Sequence, residues 1–260
     1  MKKFLILLLI PLFAASASGK IFEKSDKMIT EERTVHNFTG VDLRCNGEMT
    51  LIQGDKESLI IEAPADIMPD IESEVRDRML ILELKKTSLF GLHKRNFDIK
   101  FTLTMKEIET TNISGSGSIE AKDIVAKDLA INIDGSGELS FGRLKADKLD
   151  VDLSGSGDFD IEDFTGGKIS VTISGSGEGE ISGKVDEQTI QISGSGDYTA
   201  GRLDSKIAEI DISGSGDTEL KVSDELKVNV SGSGDVVYLG QPKIRSRVSG
   251  SGDVRQKGSW

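Results

Sequence analysis

Acidic side chains recur at one position of an internal repeat, and they are the residues of this chain best suited to chemistry. The position directly follows the tetrad Ser-Gly-Ser-Gly or its variant Asp-Gly-Ser-Gly, and its residues are Ser118, Glu138, Asp158, Glu178, Asp197, Asp217, Asp235 and Asp253. Two neighbouring carboxylates in water repel each other by about 1 kcal/mol. A divalent cation would relieve this repulsion, and hard oxygen ligands favour Ca²⁺. The five candidate calcium ligands are Asp158, Asp197, Asp217, Asp235 and Asp253.

A structural role for the same column is the simpler interpretation. Short Asp and Ser side chains form hydrogen bonds with nearby backbone at bends, and they keep a surface hydrated. The nine-residue calcium repeat of β-rolls does not occur in this sequence. We predict no other cofactor, and a calorimetric titration with Ca²⁺ separates the two interpretations.

The spacing of the tetrads indicates the elements that must position this column. Copies begin at Ser114, Asp134, Ser154, Ser174, Ser193, Ser213, Ser231 and Ser249, which gives intervals of 20, 20, 20, 19, 20, 18 and 18 residues. A flexible Gly/Ser linker would need no such period. Apolar residues alternate before each tetrad, as in Leu149, Val151 and Leu153, and this period of two is typical of a β-strand.

Each repeat therefore reads as one coil with three short sides. Counting in twos from the strand places both tetrad glycines on the inward side and the serines on the outward side. A unit of about 20 residues with one buried face must stack on its neighbours to be stable. The fold class predicted is all-β: a single-stranded, right-handed parallel β-helix with 18–20 residues per coil. The helical segments of a leucine-rich repeat and the period of a β-propeller are both missing.

The N-terminal half lacks the tetrad but keeps the alternation, for example in Phe97, Ile99 and Phe101. We predict a single domain over residues 18–260, with irregular β-rich coils over 18–112 and regular coils over 113–260. The irregular coils would cover one end of the β-helix and its unpaired strand edges. Cys45 shares the inward parity of Val41 and is predicted to lie in the core. At the other end, Trp260 either covers the open core or belongs to a ragged tail.

The first residues predict export. Lys2 and Lys3 precede an apolar run from Phe4 to Phe13, and small residues around Ala17 fit signal-peptidase cleavage. Residues 1–17 are therefore predicted to be a signal peptide, and the run is too short to span a membrane. The protein is expected in the periplasm or at the cell surface, without a transmembrane helix.

Composition excludes several classes of function. The chain carries 32 Lys+Arg against 44 Asp+Glu, a net charge of −12, which argues against nucleic acid as a partner. One cysteine and two distant histidines, His36 and His93, provide neither a Cys-based metal cluster nor a catalytic triad. Coils of 18–20 residues leave no long loops on which a polysaccharide-cleaving site could be built. We therefore predict no catalytic residues.

The segment 89–95 is the candidate contact patch for a partner. Leu89, Phe90 and Leu92 stand beside three potentially basic residues, between two strongly alternating strands. A protruding loop of this kind suits a partner subunit or a lipid surface. The alternative is that the three apolar side chains fold back as a lid on the β-helix.

The whole pattern resembles a known family. Phe38-Thr39-Gly40-Val41 leads into Gly47-Glu48-Met49-Thr50-Leu51, Glu74 to Leu82 follows, and repeated tetrads complete the chain. This combination resembles the bacterial family of putative auto-transporter adhesins with a head GIN domain. The resemblance implies a β-helix of the cell envelope and, by name, adhesion, with no catalytic residues to carry over.

We therefore predict an exported, non-enzymatic adhesion or surface-interaction module that binds a glycan or protein partner at the cell surface and that could oligomerise. The alternatives are a polysaccharide-binding or polysaccharide-degrading β-helix and a passive periplasmic scaffold. A glycan array combined with a reducing-sugar release assay separates these classes.

Overall fold

The computed structural model describes residues 27–85 and 98–258. It is almost entirely β-structure, with one short 3-10 helix at Met68–Asp70 and no α-helix in the described ranges. Its body is a β-solenoid of about seven turns built from stacked parallel coils, which confirms the predicted fold class.

The N-terminal strands are short and the repeat strands are long. The strands before the repeat are β1 (Met28–Arg33), β2 (Gly40–Leu43), β3 (Glu48–Gln53), β4 (Ser58–Pro64), β5 (Ile71–Arg76), β6 (Met79–Leu84), β7 (Lys100–Met105) and β8 (Thr110–Gly115). The strands of the repeat are β9 (Ser118–Gly135), β10 (Glu138–Gly155), β11 (Asp158–Gly175), β12 (Glu178–Gly194), β13 (Asp197–Gly214), β14 (Thr218–Gly232), β15 (Val236–Leu239), β16 (Lys243–Gly250) and β17 (Val254–Gln256).

Each long strand is one coil, and neighbouring coils pair in parallel with the tetrads in register. Ser154 pairs with Ser174, which pairs in turn with Ser193, so equivalent residues form columns along the solenoid. The core inside the coils is aliphatic: Leu149, Val151 and Leu153 are each at most 1% exposed. This register follows from the alternation, because a slip by one residue would turn every apolar side chain outward.

The second glycine of each tetrad is required by close contact between coils. A Cβ atom added to Gly177 would lie 2.0 Å from the main-chain oxygen of Gly157 and 2.6 Å from a methyl group of Leu153. The first glycine, as at Gly175, is only half-buried but has a φ of +143°, which L-residues with a side chain rarely adopt. The second glycine therefore faces inward as expected, whereas the first glycine is only partly buried.

The N-terminal strands do not follow the chain order of the repeat. Strands β2 and β3 pair in parallel with β8 and β9, while β6 and β7 stack on their other side. Antiparallel strands then complete this end, with β4 on β7, β1 on β4 and β5 on β6. The 3-10 helix buries Met68 at 2% exposure, and Arg33 donates a hydrogen bond of 2.7 Å to the carbonyl oxygen of Ile71. This end of the core is therefore covered, as the sequence predicts.

The C-terminal end is open in the described part of the chain. Strand β16 continues the inward columns of β14, but all of its residues are exposed. Ile244 and Val248 extend the columns of Leu226 and Val230, and they are 41% and 40% exposed. Trp260, which the sequence offers as a cover for this end, lies outside the described residues.

Candidate functional site

The acidic column lies along one edge of the solenoid, and its aspartates bond the backbone of the next coil. Oδ1 of Asp197 accepts a hydrogen bond of 2.7 Å from the main-chain N–H of Asp217. Oδ1 of Asp217 accepts one of 2.8 Å from Asp235, and Oδ1 of Asp235 accepts one of 2.9 Å from Asp253. Further down the column, Asp158 accepts from the N–H of Glu178 at 2.8 Å. We call this series of bonds the aspartate ladder.

The ladder depends on the length of the side chain. Glu138 and Glu178 occupy the same column but do not accept this bond. The N–H of Asp158 donates instead to the carbonyl oxygen of Gly137, at 3.0 Å, and the N–H of Asp197 donates to that of Gly177, at 3.2 Å. Aspartate at this position therefore acts as a bridge between coils, which is the simpler of the two roles given above.

The geometry for calcium is not assembled at this column. No group of three or more His, Cys, Asp or Glu side chains in residues 27–85 and 98–258 is placed to hold a metal ion. The calcium assignment of Asp158, Asp197, Asp217, Asp235 and Asp253 stays a prediction, and the ladder explains the aspartates without a cation.

A second, flat surface adjoins the acidic column and presents two polar columns. One is the first serine of each tetrad, and the other is the outward residue two positions earlier. The surface forms a shallow groove of about 330 Å³ in the C-terminal coils. We call this groove and its continuation toward the N terminus the serine face; the polar residues that line the groove are Gln191, Ser193, Asp211, Ser213, Asn229, Ser231, Arg247 and Ser249.

The serine face combines a fixed column with a column of free hydroxyl groups. Side chains in the column before the serines bond one another between coils: Asn132 donates to Asn112 at 2.7 Å, and Asn229 donates to Asp211 at 2.8 Å. Among the tetrad serines, which all lie in the described part of the chain, only Ser114 donates its hydroxyl to another side chain, at 3.1 Å to Asp42. The other serine hydroxyls are therefore available to solvent or to a ligand.

A third surface was not identified from the sequence. A groove of about 570 Å³ runs along the third side of coils β11 to β14, where ion pairs join neighbouring coils: Lys206 with Asp186 at 2.6 Å and Lys221 with Asp204 at 2.7 Å. The register shifts here, for example between Glu180 and Gly183. The shortening of the tetrad interval from 20 to 19 and 18 residues is the signal that could have located it.

The groups most common in catalysis are not assembled. Cys45 is 6% exposed, as predicted, and burial raises the pKa of its thiol to about 12, although a backbone hydrogen bond with Gly47 lowers it. His36 is exposed, and its only charged neighbour among the described residues is Glu57, at 3.8 Å. His93 lies outside the described residues.

Asp160 is a carboxyl group with a raised pKa that sequence reasoning missed. Partial burial raises the pKa of this group, and the charges of Glu180 and Glu162 raise it further. Arg202, however, forms an ion pair with Glu180. The pair Asp160 and Glu180 therefore belongs to a charge network on the solenoid surface.

The predicted contact patch Leu89, Phe90 and Leu92 lies outside the described residues, between β6 and β7. The predicted signal peptide over residues 1–17 lies outside them as well. In the described ranges, no helix is long and apolar enough to cross a membrane.

Comparison with solved structures shows relatives of the same fold. A putative lipid binding protein from Parabacteroides distasonis is 26% identical, with a TM-score of 0.84 over 90% of this chain and 98% of its own. A putative adhesin from Parabacteroides merdae is 21% identical, with a TM-score of 0.83 over 90% of this chain and 98% of its own. A putative adhesin from Parabacteroides distasonis is 22% identical, with a TM-score of 0.80 over 90% of this chain and 99% of its own. No curated protein matches the chain.

A family model covers most of the solenoid. It matches residues 37–242, which run from the segment after β1 to the residue before β16. Those residues include every strand from β2 to β15 and seven of the eight tetrads. The chain therefore belongs to the family described as putative auto-transporter adhesin, head GIN domain.

Proposed function

We propose that this protein is a non-enzymatic adhesion module that acts outside the cytoplasm and holds a hydroxyl-rich polymer, such as a glycan, on its serine face. The observation that carries the proposal is the in-register column of free serine hydroxyls beside a column of fixed amide and carboxylate groups. The family supports an adhesive role, and the predicted signal peptide supports export.

The chemistry of the serine face suits a repeating ligand. Equivalent groups on neighbouring coils are about 4.8 Å apart, so a polymer lying along the solenoid axis meets a donor or acceptor at each coil. Each hydrogen bond contributes little on its own, but many weak contacts along one chain add up to useful avidity. No aromatic residue lines the groove, and Tyr198 is fully buried in the core, so it cannot provide a platform for a sugar ring. Binding by each short segment of polymer is therefore expected to be weak.

The test is a glycan array with the purified chain, followed by affinity electrophoresis against the polysaccharides that bind. The variant Ser193→Arg/Ser231→Arg fills the groove at two coils and should weaken binding at least about tenfold, a loss of about 1.4 kcal/mol. The single variant Ser193→Arg has Thr199→Arg as its matched control, which adds the same side chain at an exposed position after the tetrad, away from the groove.

Three outcomes would contradict the proposal. Equal binding by the groove variant and the control would show that the ligand binds outside the groove. Release of reducing sugar from a bound polysaccharide would favour a polysaccharide-degrading enzyme, and no binding in either assay would favour a passive scaffold.

A further inference from the structure

The two ends of the solenoid carry opposite charge. Residues 240–258, which form the open C-terminal end, contain five basic residues and one acidic residue; the basic residues are Lys243, Arg245, Arg247, Arg255 and Lys257. Residues 66–76, at the capped end, contain four acidic residues and one basic residue; the acidic residues are Asp66, Asp70, Glu72 and Glu74. In a chain of net charge −12, the basic end is a local exception.

Strands β5 and β16 are the two edges of one continuous sheet. The sheet runs from β5 through β6, β2 and β8, continues through the second halves of the long coils, and ends at β16. Strand β5 pairs only with β6, and β16 pairs only with β14, within the part of the chain that the structure describes. Because β5 is antiparallel to β6 and the rest of this sheet is parallel, a second molecule stacked on the same axis would bring its β5 antiparallel to β16.

We propose that a second copy of this chain docks its β5 edge on the β16 edge, so that solenoids join head to tail. One antiparallel register matches both faces of the two strands. Its residue pairs are Ile71 with Val248, Glu72 with Arg247, Ser73 with Ser246, Glu74 with Arg245, and Val75 with Ile244.

On the inward face of this register, apolar residues meet apolar residues and serine meets serine. The half-exposed Ile244 and Val248 gain apolar partners and lose contact with water. On the outward face, both glutamates lie opposite arginines, an arrangement that stabilises antiparallel pairs. One pair is unfavourable, since Arg76 lies opposite Lys243, but Arg76 already forms a 2.7 Å ion pair with Glu74.

The main-chain N–H and C=O groups of β5 and β16 also alternate, pointing by turns toward the neighbouring strand and toward the free edge. The N–H of Lys85 donates to the carbonyl oxygen of Asp70, which directs the N–H and C=O groups of Ser73 and Val75 away from β6. The N–H of Ser251 donates to Gly232, which directs the corresponding groups of Ser246 away from β14. At Ser73 and Val75 the register therefore places unpaired donors opposite unpaired acceptors, as in strand addition to a sheet edge. At Ile71 the carbonyl oxygen already accepts a hydrogen bond of 2.7 Å from Arg33, so this pair contributes less to the join.

The join is heterologous and does not close on itself, so growth in one direction is expected rather than a closed dimer. Sedimentation velocity on the purified chain over a range of concentrations should show a series of increasing oligomers at low salt. Higher salt should shift the series toward monomer, because the ion pairs are solvent-exposed.

Charge reversal provides the decisive experiment. Arg245→Glu/Arg247→Glu places acidic residues at the outward positions of both edges, and Glu72→Lys/Glu74→Lys places basic residues at the outward positions of both edges. Each variant alone should associate at least about tenfold more weakly than the native chain, whereas an equimolar mixture of the two should associate again. The matched control is Lys148→Glu/Lys168→Glu, which makes the same charge change in the middle of the sheet and should leave association unchanged.

Measuring the melting temperature of every variant checks that the variant is folded. The equimolar mixture then distinguishes a loss of charge complementarity from a loss of structure. A native chain that stays monomeric at all concentrations would overturn the proposal. So would a mixture that fails to associate. If the native chain stays monomeric but floats with phosphatidylglycerol vesicles, and the arginine reversal abolishes flotation, the basic edge is a lipid contact and the proposal is wrong.

Discussion

The aspartate ladder makes a prediction that separates an acceptor role from a calcium role. Asp217 accepts a hydrogen bond of 2.8 Å from the N–H of Asp235, and its own N–H donates to Asp197 at 2.7 Å. Asp217→Ala removes the acceptor and should lower the free energy of unfolding by about 1 kcal/mol, the net contribution of one hydrogen bond near solvent. Asp217→Asn keeps an acceptor oxygen and removes a charge between two like charges, so stability should be unchanged or slightly higher.

The matched control is Glu178→Ala. Glu178 occupies the same column, but the next N–H bonds a glycine carbonyl instead of its side chain. Its loss should therefore change stability by less than about 0.5 kcal/mol.

The assay is urea denaturation followed by circular dichroism, with either EDTA or excess Ca²⁺. Calcium at 100 times its dissociation constant would stabilise the native chain by about 2.7 kcal/mol. A calcium-dependent rise in the midpoint that Asp217→Asn abolishes would refute the acceptor account. Equal losses for Asp217→Asn and Asp217→Ala would refute it too.

Three further predictions concern the core and the segment 89–95. Gly177→Ala should destabilise the fold by about 1–3 kcal/mol, because the added Cβ would lie 2.0 Å from a main-chain oxygen; the exposed control Ser176→Ala should change the urea midpoint little. The folded state holds the Cys45 thiol protonated, with a pKa of about 12 against an ordinary 9.0, so ionisation in the unfolded state should lower stability as pH rises above about 9. The loss should approach about 1.4 kcal/mol per pH unit and should be missing in Cys45→Ala, as urea midpoints between about pH 8.5 and 10.5 will show. Phe90→Ser/Leu92→Ser should weaken partner association or surface attachment if the segment 89–95 is a contact patch, whereas a lower melting point with unchanged association would identify it as a lid.

The order of the N-terminal strands could not be predicted from the sequence. The alternation shows which residues face inward, and Cys45 is buried as expected. However, β2 and β3 lie between β6/β7 and β8/β9 in space, and three antiparallel pairings close the end. Short strands without a repeated marker are compatible with several partners, and only the packing of the whole end selects among them.

The candidate sites divide in a similar way. The sequence identified the acidic column and the serine columns, because both recur with the tetrad. It singled out the aspartates, but it did not show that the N–H of the next coil is their partner or that glutamate at the same position leaves that N–H to a glycine carbonyl. The charge match between β5 and β16 was also hidden, since the two strands are about 170 residues apart in the chain and become the opposite edges of one sheet only after folding.

The sequence by itself determined the coil and its register. A tetrad that returns every 18–20 residues, next to a strict alternation of apolar residues, permits only one stacking in which every apolar side chain faces inward and glycine meets glycine. The tertiary structure alone decided which outward groups are bonded and which are free, because that depends on distances between coils. It also decided which strands form the predicted cap, because that end is assembled from strands whose partners are distant in sequence.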